Sequence, residues 1–195
     1  MRILFIRHGQ TASNVGHQLD TGFPGAPLSP TGLAQADTLP ERLREEPIEV
    51  VMTSDLTRAR QTGEPLAKSK GVPLITNPGV REIFAGDWDM SVDWQDYVNI
   101  IASWQNPSNL DRGMPHGDTG HSFFRRYDAA VGEMVGYGCA AIVSHGGALR
   151  TWLGVRGDLE LDRDPTAVLS NTAVVTVEGE PGDWRILDWA GHQIR

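Results

Sequence analysis

Cysteine and long hydrophobic runs are scarce in this chain of 195 residues. Cys139 is the single cysteine, which excludes an internal disulfide. Without a cysteine cluster, and with few histidines near one another, a structural metal site is not expected. The apolar run at positions 3–6 is far too short for a membrane span or a signal peptide. We therefore expect a cytoplasmic protein with no membrane partner and, with Cys139 buried, no disulfide chemistry.

Basic residues are also in the minority, with 17 Lys and Arg against 25 Asp and Glu and a formal net charge of -8. General nucleic-acid binders are usually basic, so nucleic acid is not an expected partner. The hydrophobic content of 39% is typical of a folded globular protein, and the length fits one domain over residues 1–195. An acidic chain that binds an anion must concentrate its cations locally, which makes each arginine informative.

Short apolar strands alternate with amphipathic helices along the chain. This alternation predicts an α/β fold with three layers, α/β/α, around a mainly parallel central sheet. A weakly patterned stretch at about 84–120 is interpreted as a helical and loop insertion over the carboxyl ends of the strands. Strands are predicted at 3–6, 49–53, 74–76, 139–144, 173–177 and 185–189, and helices at 30–43 (with Pro40 as a candidate kink), 56–70, 92–104, 121–136 and 148–155.

Two of the predicted strands end in a histidine that is followed by glycine. Arg7-His8-Gly9 follows the first strand, and His145-Gly146 follows the strand at 139–144. Ligands of open α/β sheets bind beyond the carboxyl ends of the strands, and glycine lets the backbone approach a ligand closely. A single histidine at a strand end is more often a hydrogen-bonded structural residue. Two such histidines together favour a functional site.

An arginine and a glutamate follow two further strands. Arg58 lies in the first turn of a predicted helix, where a cation is unfavourable unless it meets an anion. A solvated arginine is the alternative, and Arg60 fits that alternative better. Glu82 is a candidate general acid if apolar neighbours such as Phe84 and Trp88 raise its pKa toward neutrality. Taken alone, an acidic residue beside an arginine is usually surface charge.

Five strings in this order resemble the histidine phosphatase superfamily, which has the phosphoglycerate-mutase-like fold. The resemblance covers nearly the whole chain, so it implies a single histidine-phosphatase-like domain. The Arg-His-Gly string alone is a weak signal, whereas the ordered set is a specific one. The strings are Arg7-His8-Gly9, Pro27-Leu28-Ser29 to Gly32 with Gln35-Ala36, Ser54-Asp55-Leu56 to Thr62, Arg81-Glu82 to Trp88, and Ser144-His145-Gly146-Gly147.

The resemblance implies a phosphomonoesterase that acts on a small-molecule phosphate ester without a metal or other cofactor. His8 would be the nucleophile and form a phosphohistidine, with the Gly9 carbonyl bound to its other ring nitrogen. Glu82 would protonate the leaving oxygen and then activate water. Arg7, Arg58 and a protonated His145 would complete the catalytic set around the phosphoryl group, and the further phosphate ligands would be Asn14, the N–H of Gly146, Thr21 and Gly22.

Several alternatives stay open at the level of sequence. Gln10-Thr11 after Arg-His-Gly and the short chain favour a phosphatase, and a mutase-type phosphotransferase is the alternative. A phosphate-binding protein without turnover is less favoured, because both His8 and Glu82 are present. His116 is interpreted equally well as an ordinary loop residue or as part of the border of the site. The substrate and the oligomeric state, a homodimer included, are not specified.

Overall fold

A central sheet organises the computed structural model, which describes residues 1–157 and 169–193. The described strands lie in the order β3-β2-β4-β1-β5-β6-β7. β3, β2, β4 and β1 run parallel to one another, and β5, β6 and β7 extend the sheet in antiparallel pairs. The strands are β1 (Arg2–Arg7), β2 (Val50–Thr53), β3 (Leu74–Thr76), β4 (Cys139–Ser144), β5 (Val174–Glu180), β6 (Asp183–Trp189) and β7 (His192–Gln193).

Helices cover both faces of this sheet. Alternate residues of β1 point to opposite faces, so Leu4 packs with α2 and α3 while Phe5 packs with α5 and α6. The three-layer α/β/α prediction is therefore confirmed. The helices are α1 (Ala12–Val15), α2 (Pro30–Arg42), α3 (Thr57–Lys70), α4 (Gln95–Ser103), α5 (Gly120–Gly132) and α6 (Gly146–Arg156).

The helix boundaries follow from capping chemistry at most of the predicted positions. Ser29 caps α2, because its hydroxyl accepts from the Gly32 N–H at 3.1 Å. Gly71 ends α3 with a left-handed φ of 66°, a conformation that glycine adopts without strain. Pro40 does not split α2, which continues to Arg42.

Other local predictions are shifted or wrong. Ser54 and Asp55 precede α3, but its N-cap is Leu56, which makes no side-chain cap. The Asp55 carboxylate instead accepts from the Arg81 guanidinium. α4 begins at Gln95 rather than at 92, and α5 ends at Gly132 rather than at 136. The two-residue β7 is too short to give a sequence pattern.

The segment 84–120 lies between β3 and α5. It contains α4 and two short 3-10 turns, Gly86–Trp88 and Pro107–Asn109. Trp104 anchors it, because its indole is buried against Phe123 of α5. Among the described helices, none is long and apolar enough to cross a membrane.

The carboxyl ends of three central strands meet at one edge of the sheet. Arg7 of β1 pairs with Ser144 of β4, and Thr53 of β2 pairs with Val143 of β4. The loops after these strands therefore emerge side by side. They carry His8, Arg58 and His145, which the sequence placed at separate strand ends.

The loop after β1 packs directly on the start of α2. A Cβ on Gly32 would lie 2.1 Å from the Gln10 carbonyl oxygen, and one on Gly9 would lie 2.7 Å from the Gly32 carbonyl oxygen. The Ser29 N–H also donates to the Gln10 carbonyl at 2.8 Å. Glycine at 9 and 32 thus lets two backbone segments touch and fixes the residues that follow His8.

We expect Gly32→Ala to destabilise the protein, because the added methyl group must push the loop after β1 away from α2. The expected loss is about 1–3 kcal/mol of unfolding free energy, measured by urea denaturation. Gly132→Ala is the matched control, since no atom lies within 4 Å of a Cβ there and alanine is the better helix former. An unchanged urea midpoint for Gly32→Ala would contradict this account of the loop.

Candidate active site

A cavity of about 380 Å³ opens above the carboxyl ends of β1 and β4. Its floor carries the polar side chains that the sequence singled out, and its walls come from α4 and α6. A volume of this size suits a small ligand. Its lining includes Arg7, His8, Asn14, Asp20, Thr21, Arg58, Glu82, Trp94, Tyr97, Val98, Ile101, Gly146, Gly147, Arg150 and Leu169.

His8 lies at the centre of the floor and is buried. Its Nδ1–H donates to the Gly9 carbonyl at 2.7 Å, which leaves Nε2 as the unprotonated nitrogen of the neutral ring. Burial, together with the nearby Arg58 and Arg7 charges, holds the pKa of His8 well below its usual value. The ring is thus neutral at physiological pH, and the Nε2 lone pair accepts a hydrogen bond from Arg58 in the empty site.

Arg58 connects His8 to the loop 20–27. Its Nε donates to His8 Nε2 at 3.2 Å, and its Nη2 donates to the Asp20 carbonyl at 2.7 Å. Its Nη1 lies 3.4 Å from the Asp20 carboxylate. Arg58 is buried, whereas Arg60 is exposed on the same helix, as the sequence favoured. The one arginine is placed for the site and the other is solvated.

His145 approaches the same point from the end of β4. Its ring centroid lies 5.1 Å from that of His8, and its Nε2 is 2.7 Å from the Ser54 hydroxyl. Its Nδ1 is buried and has no hydrogen-bond partner among the described residues. Burial, Arg58 and His8 hold the pKa of His145 well below its usual value. In the empty site, burial and adjacent cations thus disfavour a charge on His145, and the protonated His145 expected around a phosphoryl group stays a prediction.

Arg7, Asn14 and Gly146 complete the ring around His8. Arg7 donates through Nη1 to the Leu169 carbonyl, while its buried Nε has no partner among the described residues. The Asn14 side-chain oxygen accepts from the Thr11 N–H at 3.1 Å and also from Asn171. The Asn14 Nδ2 is thus left without a partner in the described part of the chain. Gly146 lines the cavity at the first turn of α6.

Glu82 is held by backbone N–H groups. Its carboxylate accepts from Gly147 at 3.0 Å, from Ala148 at 2.6 Å and from Ile83 at 2.9 Å. Two of these donors belong to the first turn of α6, so the helix fixes the carboxylate at the cavity wall. The apolar surroundings expected from Phe84 are absent, because that side chain is exposed.

Thr21 and Gly22 occupy different positions relative to the cavity. Thr21 lines it, but both its N–H and its hydroxyl donate to Asp89 Oδ1 at 2.7 Å. Gly22 is not among the lining residues, and its N–H also donates to Asp89. Asp89 thus ties the loop 20–27 to the segment after β3. His116, whose side chain is 86% exposed, pairs with Asp87 and does not line the cavity.

Some functional positions gave no usable sequence signal. Asp20 anchors Arg58, and the Ser54 hydroxyl forms a hydrogen bond with His145 Nε2. Arg126 donates to the carbonyls of 79, 81 and 82 and to the Asp118 carboxylate, and so holds the backbone that presents Glu82. The sequence signal for Arg126 is weak: it is a charged residue beside the apolar face of the predicted helix at 121–136. Within the described residues, no group of three or more His, Cys, Asp or Glu is arranged to hold a metal ion.

Comparison with known proteins agrees with this geometry. Residues 3–191 match the model of the histidine phosphatase superfamily (branch 1). The chain is 32% identical over 161 residues to the adenosylcobalamin/alpha-ribazole phosphatase of Salmonella typhimurium, covering 76% of each chain. The chain belongs to the histidine phosphatase superfamily. The sequence-based prediction of this family and of a phosphatase-class enzyme is thereby confirmed.

Two further similarities define the breadth of the relationship. A probable phosphoglycerate mutase of Yersinia enterocolitica is 26% identical over 195 residues, which is 97% of this chain and 90% of that protein. The structure of a mycobacterial glucosyl-3-phosphoglycerate phosphatase superposes with a TM-score of 0.80. The superposition covers 97% of this chain and 98% of the mycobacterial chain, at 24% sequence identity, which shows a shared fold.

We expect the stability of the empty protein to fall with acidification because of the two buried histidines. Their pKa values are lowered on folding, so below about pH 6.5 the unfolded chain binds protons that the folded one does not. The His8 contribution is fully present above pH 6.5 and is lost as the pH falls below it. In His8→Gln this histidine is absent. The free energy of unfolding should therefore fall less steeply between pH 6.5 and 5.5 than in the parent, by up to about 1.4 kcal/mol per pH unit.

The measurement is the free energy of unfolding from urea titrations at several pH values. The same change from histidine to glutamine at His116, which does not line the cavity, is the control. A parent-like pH dependence in His8→Gln would show that His8 is protonated alike in both states.

Proposed function

We propose that the chain is a metal-independent phosphomonoesterase that works through a phosphohistidine at His8. The observation that carries this proposal is a neutral, buried Nε2 surrounded by donors that lack acceptors. Arg7 Nε and His145 Nδ1 are both buried and unpaired among the described residues. Buried polar groups are normally satisfied, so unpaired donors beside a nucleophile indicate a site for an anion.

The first chemical step transfers the phosphoryl group to the protein. The Nε2 lone pair of His8 attacks phosphorus, and the bond from phosphorus to the ester oxygen breaks. Glu82 gives its proton to that oxygen, so the alcohol leaves neutral and Glu82 becomes a carboxylate. Arg7 and Arg58 stabilise the charge on the equatorial phosphoryl oxygens, which is the main demand of phosphoryl transfer.

The second step returns the protein to its starting state. Glu82 takes a proton from water as the water oxygen attacks phosphorus, and the bond from phosphorus to Nε2 breaks. Inorganic phosphate leaves, His8 recovers its lone pair and Glu82 again holds the proton. The two steps together consume one ester and one water, with no metal or redox partner.

His145 acts as a responsive donor in this scheme. In the empty site it is neutral, and the Ser54 hydroxyl, which accepts from the Leu56 N–H, can donate its own proton to Nε2. That arrangement leaves the proton on Nδ1. A bound phosphoryl dianion would raise the pKa of His145, because an opposite charge favours the protonated ring.

The remaining phosphate ligands are assigned by their free donors. We assign the Asn14 Nδ2 and the Gly146 N–H to phosphoryl oxygens, since both residues line the cavity. Thr21 and Gly22 would contribute only if Asp89 released their N–H groups. The single-domain assignment for 1–195, with an insertion at about 84–120, a cytoplasmic location and a homodimer stay predictions.

A phosphotransferase of the mutase type is the alternative, since one relative bears the name of a probable phosphoglycerate mutase. The two reactions share the phosphohistidine and differ in the acceptor, which is water in one and a second substrate hydroxyl in the other. Product analysis by phosphorus NMR separates them. Release of inorganic phosphate supports the phosphatase, and appearance of the phosphoryl group on another substrate hydroxyl supports the mutase.

We expect labelled phosphate to be trapped on His8 when turnover is stopped by alkaline denaturation, which preserves phosphohistidine. The parent and a His116→Ala control should carry the label and lose it in acid. His8→Ala should carry none and should not release phosphate from p-nitrophenyl phosphate in EDTA. Turnover by His8→Ala at the parent rate, or label at another residue, would reject His8 as the nucleophile.

Removing the proton donor should harm poor leaving groups most. Glu82→Gln keeps the shape of the side chain but cannot protonate the leaving oxygen, so alkyl phosphates should slow by about 10²–10⁴-fold. p-Nitrophenyl phosphate, whose leaving group needs less help, should slow much less in its first step. The readout is single-turnover transfer to His8, with Asp87→Asn as an exposed control. Equal slowing of both substrates would argue against Glu82 as the acid.

A further inference from the structure

We infer that the alcohol part of the substrate carries a compact apolar group, about the size of an aromatic ring, held between α4 and α6. The inference rests on the proposed function, because it places the phosphoryl end of the ligand at His8. It identifies the substrate as a phosphate monoester with an apolar body rather than one with a second anionic group.

One wall of the cavity is an apolar face of α4 and the residue that precedes it. Trp94, Tyr97, Val98 and Ile101 recur at a spacing of three and four residues, which places them on one side of the helix. Tyr97 is buried with its hydroxyl donating to the Ile83 carbonyl at 2.9 Å. Val98 and Trp94 remain 48% and 39% exposed. Apolar surface is therefore left open toward the cavity.

The opposite wall is a face of α6 with mostly small side chains. Gly146, Gly147, Thr151 and Gly154 line the cavity at helical spacing. Beside Arg150, Thr151 and Val155, the glycines at 146, 147 and 154 take little volume, so space remains between this wall and the apolar face of α4. The floor of that space is continuous with the phosphoryl site, since Gly146 and His8 line the same cavity.

The charges along the cavity also favour an apolar body. Arg7 and Arg58 lie at the floor, where the phosphoryl group is placed, and Glu82 lies beside them. Among the described lining residues, the cation away from the floor is Arg150, which is exposed on α6. An exposed arginine remains well solvated and adds little affinity for a second anion. Beside Val98, a second phosphate or carboxylate would lose hydration without a buried cation among the described lining residues.

The experiment compares phosphonates that bind but cannot be hydrolysed, so it does not depend on turnover. 3-Phenylpropylphosphonate, propylphosphonate and 3-phosphonopropanoate are titrated into the whole chain by calorimetry. Burial of a phenyl ring should make the first bind about 10- to 100-fold more tightly than the second. The third, which carries a carboxylate, should bind no better than propylphosphonate.

A variant locates the effect on α4. Val98→Asn replaces a half-exposed apolar side chain by a neutral polar one. It should reduce the ratio of the affinities for 3-phenylpropylphosphonate and propylphosphonate to below about threefold. Val92→Asn is the matched control, because Val92 is 71% exposed in the segment before α4 and does not line the cavity. Equal unfolding midpoints for both variants establish that the comparison is between folded proteins.

Four results would overturn the inference. Two of them are equal affinities for 3-phenylpropylphosphonate and propylphosphonate, and tighter binding of 3-phosphonopropanoate than of propylphosphonate. The other two are no measurable binding of any phosphonate, and a parent-like ratio of the phenylpropyl and propyl affinities in Val98→Asn. Failure of the proposed function looks different, because it appears as absence of label on His8. If the parent binds 3-phenylpropylphosphonate preferentially but forms no phosphohistidine, the apolar binding site between α4 and α6 is supported and the phosphatase mechanism is rejected.

Discussion

The burial of Arg58 against a neutral histidine is the interaction on which the rest of the site depends. A guanidinium removed from water needs acceptors, and Arg58 finds them in His8 Nε2 and in the carbonyl and carboxylate of Asp20. Burial first, and the same Arg58 charge second, hold the pKa of His8 and of His145 down. A buried cation thus adds to the burial that keeps both rings neutral.

The parallel sheet makes this concentration of charge sustainable. β1, β2 and β4 end at one edge, so the chain delivers three separate loops to a single point. Each loop is then fixed by backbone contacts, as where the glycine at 32 lets α2 touch the loop after β1. Glu82 is fixed in a similar way by the N–H groups that begin α6. Rigid backbone around the floor keeps buried donors pointed at a ligand that is not always present.

The two ends of the cavity are built on different physical terms. The floor offers charge and hydrogen-bond donors in a desolvated place, which matches the phosphoryl group of the proposed substrate. The walls offer the open apolar face of α4 and the small side chains of α6, which suit a body with few polar groups.

The sequence by itself determined the layered fold, the strand and helix order and the set His8, Arg58, Glu82 and His145, because hydrophobic period, caps and glycines are local signals. It did not determine the partners that act across the fold. Asp20, Ser54 and Arg126 are ordinary polar residues until folding places them beside Arg58, His145 and the backbone at 79–82. Protonation is also decided by tertiary structure, since a neutral His145 results from burial and from cations that are distant in sequence.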